Sequence, residues 1–228
     1  MTTMWKSEQG GAAPTAVPVH PAFSHVRKQM DRREQVDVVY TSTRGQCPND
    51  GEKRAYENPG GISFCSLIAE DFRAHGRDWR SPGFRALLVH RFGNLRMGVR
   101  NRPLRVPLSL LYRWGEQRVR STSGIEIPFD VRIGRRVEIH HHSGIVINGY
   151  VEIGDGCIIR QNVTIGIKAI GDRGAPILGR NVEVGAGAVI LGHIRIGDGA
   201  RIGANAVVMT DVPDGATAVG VPARIIAA

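Results

Sequence analysis

Cysteine is scarce, and that removes two classes of protein at once. Cys47, Cys65 and Cys157 are the only three in 228 residues. They are too few and too scattered for a disulfide framework or a zinc site. No apolar run approaches the ~18 residues of a membrane-crossing helix. The first residues lack the apolar core of a secretory signal, so the expected location is the cytoplasm. Acidic residues are also in deficit, 21 against 30 Lys and Arg, for a formal charge of +9. A basic balance invites nucleic-acid or membrane readings. The excess is local, however: residues 61–124 hold twelve Arg against Glu70, Asp71, Asp78 and Glu116. The plain reading of these Arg is a solvated helical face; coenzyme phosphates or an acidic membrane surface are the alternatives. No nucleic-acid partner is expected.

Apolar residues make up 42% of the chain, enough for a packed core. Glycine, 29 residues in all, concentrates in the second half without a three-residue period, which signals tight turns rather than collagen. Three segments follow. Residues 1–60 carry GlyGlyAlaAlaPro, AsnAspGly and AsnProGlyGly and no sustained periodicity; they read as flexible, with a short helix near 25–33. Residues 61–124 read as a small α-helical domain of two or three amphipathic helices. Phe64, Leu67, Ile68 and Phe72 recur at helical steps, as do Phe84, Leu87, Leu88, Arg91 and Phe92, and then Leu104, Leu108, Leu111 and Tyr112. Ser81–Pro82 supplies an N-cap with Pro in the first turn.

From Ile127 the period becomes six. Aliphatic residues stand at 127, 133 and 139, then after a jump of eight at 147, 153, 159 and 165, then after a jump of thirteen at 178, 184, 190, 196, 202 and 208. Small or β-branched residues follow most of them by four: Val131, Val137, Val151, Cys157, Val163, Val182, Ala188, Ala200 and Ala206. A period of six fits neither an α-helix nor a long half-buried strand. It fits a hexapeptide solenoid, in which each hexapeptide is a short strand plus a turn and three make a triangular coil. The fold class is therefore mainly β, a parallel β-helix over 125–228 behind a small helical domain. A solenoid interior is consumed by packing, so chemistry belongs at the two breaks in the period. The first holds HisHisHisSerGly at 140–144; the second is the loop from about Ile167 to Ile177.

Several segments resemble the serine acetyltransferases, within the wider hexapeptide-repeat acyltransferases. They are IleGluIle at 125–127, IleGlyArgArg at 133–136, GlyIleValIle at 144–147, AsnValThrIleGly at 162–166, GlyAlaGlyAlaValIleLeuGly at 185–192 and ValGlyValProAlaArgIle at 219–225. The likeness runs from about Leu67 to the end. It implies a left-handed β-helix, an exception to the right-handed crossover rule, and an O-acetyltransferase using acetyl-CoA as co-substrate, with no permanently bound cofactor and no metal. It also implies L-serine as acceptor, a place in cysteine biosynthesis, and a homotrimer or a multiple of one. His141 maps onto the family's catalytic histidine and Glu126 onto the carboxylate that orients it. A carboxylate on one ring nitrogen fixes the tautomer, and the other nitrogen is then free to take a proton from a hydroxyl. Asp78 and Arg173 match acceptor-binding residues, and Gly166, Gly185, Ala186, Arg201, Gly203 and Ala204 map to the coenzyme contacts.

The departures concern the acceptor. The family aspartate before the catalytic histidine is His140 here, and the loop histidine is replaced within AspArgGlyAlaPro at 172–176. The tail that docks into cysteine synthase has no counterpart before Ala228. Two other readings stay open: a sugar or polysaccharide O-acetyltransferase on the same fold, and a non-catalytic β-helix that binds or scaffolds. Cys157 reads as a small corner residue, and His193 as a coil-surface residue.

Overall fold

The computed structural model describes residues 59–169 and 174–226. The helix expected near 25–33 lies outside them. After a 3-10 turn at Pro59–Gly61 come three α-helices: α1 (Phe64–Ala74), α2 (Pro82–Met97) and α3 (Arg102–Ser123). The Ser81 side chain accepts a bond from Phe84 N at the start of α2, as its Ser-Pro signature predicts. Gly124, at φ 61°, closes α3.

Fifteen short strands then wind into three sheets, each contributing one side of a triangular prism. Sheet A holds β1 (Ile125–Glu126), β4 (Ile145–Ile147), β7 (Thr164–Gly166), β10 (Val189–Leu191) and β13 (Val207–Val208). Sheet B holds β2 (Arg132–Ile133), β5 (Glu152–Ile153), β8 (Ile177–Leu178) and β11 (Arg195–Ile196). Sheet C holds β3 (Glu138–Ile139), β6 (Ile158–Ile159), β9 (Glu183–Val184), β12 (Arg201–Ile202), β14 (Thr217–Val219) and β15 (Arg224–Ile226). All pairs are parallel except β14–β15, where the chain turns back on itself. On sheet A, Ile125 pairs with Ile145, Val146 with Thr164, Thr164 with Val189, and Val189 with Val207. The regular coil is thus 18 residues, the first carries two extra and the third seven, as the jumps in the hexapeptide period require. All thirteen aliphatic positions and all nine corner positions are buried. Stacked isoleucines, leucine and valines make one continuous core ladder.

The helices are not a separate body; they cap the first coil. Arg91 on α2 is the hook: Nε donates to Asp71 Oδ2 (3.0 Å), Nη1 to Ile133 O (2.7 Å) and Nη2 to Gly134 O (2.6 Å). Both partners of this ion pair are buried. Burial pushes the Asp71 carboxyl above its usual range, with the Arg91 guanidinium opposing. Arg96 is also drawn inward, its guanidinium 4.2 Å from the Tyr112 ring centre and 4.7 Å from that of Phe129. The expectation of a wholly solvated arginine face is corrected at these two positions. Gly93 lets α3 approach, since a Cβ there would lie 2.6 Å from the Tyr112 ring.

The apolar positions of α3 are a second correction. Tyr112 is buried, but Leu104 and Leu111, 55% and 53% exposed, face outward. Periodicity shows that a helix has an apolar stripe but not that the stripe is the covered one.

His90 gives the fold a pH dependence. Its ring is fully buried and bonds through Nε2 to Val131 O at 3.0 Å, so Nε2 carries the proton; Nδ1 has no partner. Burial, with the Arg91 charge beside it, pushes its pKa down to about 3. The unfolded side chain titrates near 6.5. Above that pH both states are neutral and the contribution is complete; below it only the unfolded state gains a proton, so stability falls toward pH 3. Chemical denaturation should show a loss of about 2 kcal/mol between pH 6.5 and 5. His90→Gln, whose amide can still donate to Val131 O, should flatten that slope; an unchanged slope would show that other groups set it.

Candidate active site

The two-residue insertion lies at the edge where sheet C passes into sheet A. It is held from below by the helices. Ile139 N donates to His75 Nε2 (3.1 Å), while His75 Nδ1 donates to Asp71 O (2.8 Å), which fixes the neutral tautomer. The N-terminus of α2 presses on the same strand: a Cβ on Gly83 would fall 2.5 Å from Ile139 O. Beyond Ile139 the backbone enters the left-handed region three times, at His141 (φ 62°), Ser143 (φ 101°) and Gly144 (φ 66°). Gly144 must be glycine, because a side chain would run into the Asn162 amide of the next coil. Left-handed backbone at a histidine and a serine is a local cost that clusters at functional sites.

His141 is exposed, and among the described residues its ring makes no hydrogen bond. The orienting carboxylate expected from the sequence is not engaged with it. Glu126 Oε1 lies 3.2 Å from Arg120 Nη2, the last basic residue of α3, and the nearby guanidinium holds it there. The histidine–carboxylate pair that does form is the neighbouring one: His140 Nε2 is 2.7 Å from Glu138 Oε2. Glu138 therefore returns a carboxylate close to where the sequence comparison loses one, a contact no motif announced. His142 is exposed as well. Asp78 sits in the turn after α1; its Oδ1 accepts from Arg80 N (2.8 Å), and its own N–H donates to His75 O (3.3 Å). His75 thus links Asp78 to the strand that leads into His140 and His141.

The coenzyme candidates follow the same edge upward. Gly185 and Ala186 lie between β9 and β10, and Gly203 and Ala204 between β12 and β13. The turns stack through Asn162 N to Ser143 O, Gly187 N to Gln161 O and Asn205 N to Ala186 O, each 2.8–2.9 Å. At about 4.8 Å per coil, the edge from His141 to Ala204 spans ~14 Å. Arg201, 68% exposed, stands beside it with Glu183 3.9 Å away. Gly185 is small for a packing reason: a Cβ would lie 2.7 Å from Ala204 N and from Ile202 O of the next coil.

Gly166 and the start of the loop that carries the seven extra residues lie at the other edge of sheet A, where it passes into sheet B. Arg173 is outside the described residues. Gly174 rests on His193, so close that a Cβ at 174 would overlap the imidazole's Cβ and Cγ. A side chain at 174 and His193 would therefore compete for one volume in this arrangement. Cys157 is buried, its thiol donates to Gly179 O (3.1 Å), and burial pushes it up to about 11, so it is no nucleophile. Among the described residues, no group of three or more His, Cys, Asp or Glu is arranged to hold a metal ion.

Comparison with known proteins decides the family. Residues 175–209 match the model for "Bacterial transferase hexapeptide (six repeats)". A serine acetyltransferase of Helicobacter pylori J99 is 44% identical over 147 residues, 64% of this chain and 81% of that protein. The chain belongs to the serine acetyltransferase-like hexapeptide-repeat acyltransferases. A Synechococcus elongatus serine acetyltransferase is 42% identical over 147 residues, but the chain spans only 57% of its length. An Escherichia coli K12 protein that carries the name "Putative colanic acid biosynthesis acetyltransferase WcaB" is 37% identical over 163 residues, 69% of this chain and 98% of that protein. Among solved structures, soybean serine acetyltransferase superposes with a TM-score of 0.60 at 32% identity, covering 72% of this chain and 69% of that one. The Brucella abortus enzyme in complex with coenzyme A gives 0.61 at 27%, covering 72% and 68%. The β-helix is left-handed, as the family resemblance implied.

Proposed function

We propose that the chain transfers acetyl from acetyl-CoA to a hydroxyl, as a serine O-acetyltransferase making O-acetylserine for cysteine biosynthesis in the cytoplasm. The observation that carries this reading is an unengaged His141 on the same edge as the Gly185–Ala186 and Gly203–Ala204 turns. The coenzyme lies along that edge, with Arg201 placed for a phosphate. His141 takes the hydroxyl proton as the oxygen attacks the thioester carbonyl. Turn N–H groups stabilise the oxyanion, and the proton leaves with the departing thiolate. Glu126, released from Arg120, orients the imidazole. Asp78, His140 and Arg173 meet the acceptor.

The bulge precedes β4 at one edge of sheet A, and the chain leaves β7 toward the second break at the other edge. Pairing the bulge edge of one copy with the loop edge of the next completes the cleft, which favours a trimer or a multiple of it; sedimentation as an active monomer would contradict this.

A sugar hydroxyl is the second reading, favoured by the near-complete span of the WcaB match and by His140 in place of a carboxylate. A desolvated ammonium that lacks one partner typically loses ~3–5 kcal/mol. Serine should therefore saturate poorly. His140→Asp should lower the KM for serine about tenfold or more while leaving that for acetyl-CoA unchanged, with Glu138 supplying part of the missing charge. Tight serine use by the unmodified protein, worsened by His140→Asp, would show that another group holds the ammonium. Turnover of glycosides with none of serine would transfer the assignment to the second reading.

A further inference from the structure

The outward face of α3 has no role in the reaction described above, and it is unusual for a water-facing helix. Trp114 is 67% exposed, Leu110 62% and Val106 60%, and these join Leu104 and Leu111 on the side of the helix turned away from α2. A contiguous apolar face of this kind marks an interaction surface. Its charge shows what it meets. The helix carries Arg102, Arg105, Arg113, Arg118 and Arg120 against one acid, Glu116, which lies beside Tyr112. Arg102 and Arg113 are exposed at one flank of the apolar stripe, and exposed Arg118 continues it one turn beyond Trp114. We propose that α3 docks in the plane of an anionic lipid surface, with Leu110 and Trp114 entering the headgroup boundary and the flanking arginines meeting lipid phosphates. A second copy fits less well, because stacking this face on itself sets the same arginines against each other with no acidic counterpart. The attachment is peripheral: among the described residues no helix is long and apolar enough to cross a membrane. It would bring an acyl-transfer site to acceptors held at a bilayer, and it stands whether the acceptor is serine or a sugar.

The test uses the full chain and two kinds of vesicle, phosphatidylcholine alone and phosphatidylcholine with phosphatidylglycerol. Co-sedimentation should occur only with the anionic vesicles, with a blue shift of tryptophan emission, and should weaken as salt rises. The charge-neutral double variant Leu110→Gln/Trp114→Gln should lower the vesicle affinity about tenfold or more. Arg113→Gln and Arg118→Gln should each lower it about fivefold. All variants should keep the circular dichroism and soluble-acceptor turnover of the unmodified protein. No binding to anionic vesicles would overturn the proposal. So would undiminished binding by the Leu110/Trp114 variant, which would show adsorption by net charge alone. A fall in oligomeric size in that variant, without vesicle binding by the parent, would give the face to a second copy instead.

Discussion

His141→Ala should lower turnover by about 10²–10⁴, the range for loss of a positioned general base, while the affinity for coenzyme A stays within severalfold. The two parts of that expectation have separate structural origins. His141 stands in the insertion on the first coil, and the turns proposed to hold the coenzyme belong to the third and fourth. Removing an exposed ring that makes no bond in the free protein should leave the stacking of the coils intact. Steady-state kinetics and a coenzyme titration on the purified variant check both parts. If activity falls in His140→Ala instead, with His141→Ala near normal, the base is the histidine already paired with Glu138. Glu126→Gln should have a smaller effect than His141→Ala, because Arg120 holds that carboxylate in the free chain.

Arg91→Leu should be the most damaging change to the fold, at about 3–5 kcal/mol by chemical denaturation. It strands the Asp71 carboxylate, already missing a partner at Oδ1, and it cuts the bonds to Ile133 O and Gly134 O that fasten α2 to the first coil. The double variant Asp71→Leu/Arg91→Leu should recover part of the loss, since no charge is then left buried alone. A single-variant cost under about 1 kcal/mol would mean that the ladder core holds the first coil without the helical cap. The same hook bears on the site, because His75 bonds both Asp71 O and Ile139 N. Loosening α1 therefore loosens the strand that enters the bulge.

The prism was legible in the sequence because a solenoid repeats its burial pattern at a fixed step. The breaks at 140–144 and 167–177 were legible for the same reason, since an interruption shows against a period. What lay beyond the sequence were contacts between residues far apart in the chain. Arg91 falls at an apolar step of its helix, but what an arginine does there shows only when the carbonyls of residues 133 and 134 are placed beside it. Leu104 and Leu111 read as core until α3 turns them away from α2. The Glu126–Arg120 and Glu138–His140 pairs are closer in sequence, six and two residues apart, yet they depend on how the chain turns from α3 into the first coil and from β3 into the bulge. Gly185 illustrates the opposite case: its smallness suggests ligand approach, yet the next coil alone would demand it. His193 reads as a coil-surface residue and is exposed; its close contact with Gly174 is what the sequence does not show.

The most direct test of the central claim is mass-spectrometric detection of the acetylated product. Purified protein is incubated with acetyl-CoA carrying an isotopically labelled acetyl group, together with L-serine or a panel of glycosides. The prediction is an O-acetyl ester bearing the label, formed together with free coenzyme A, dependent on the acceptor and lost in His141→Ala. Labelled ester appearing at the same rate in His141→Ala, or none with any hydroxyl acceptor while the protein remains folded, would contradict it.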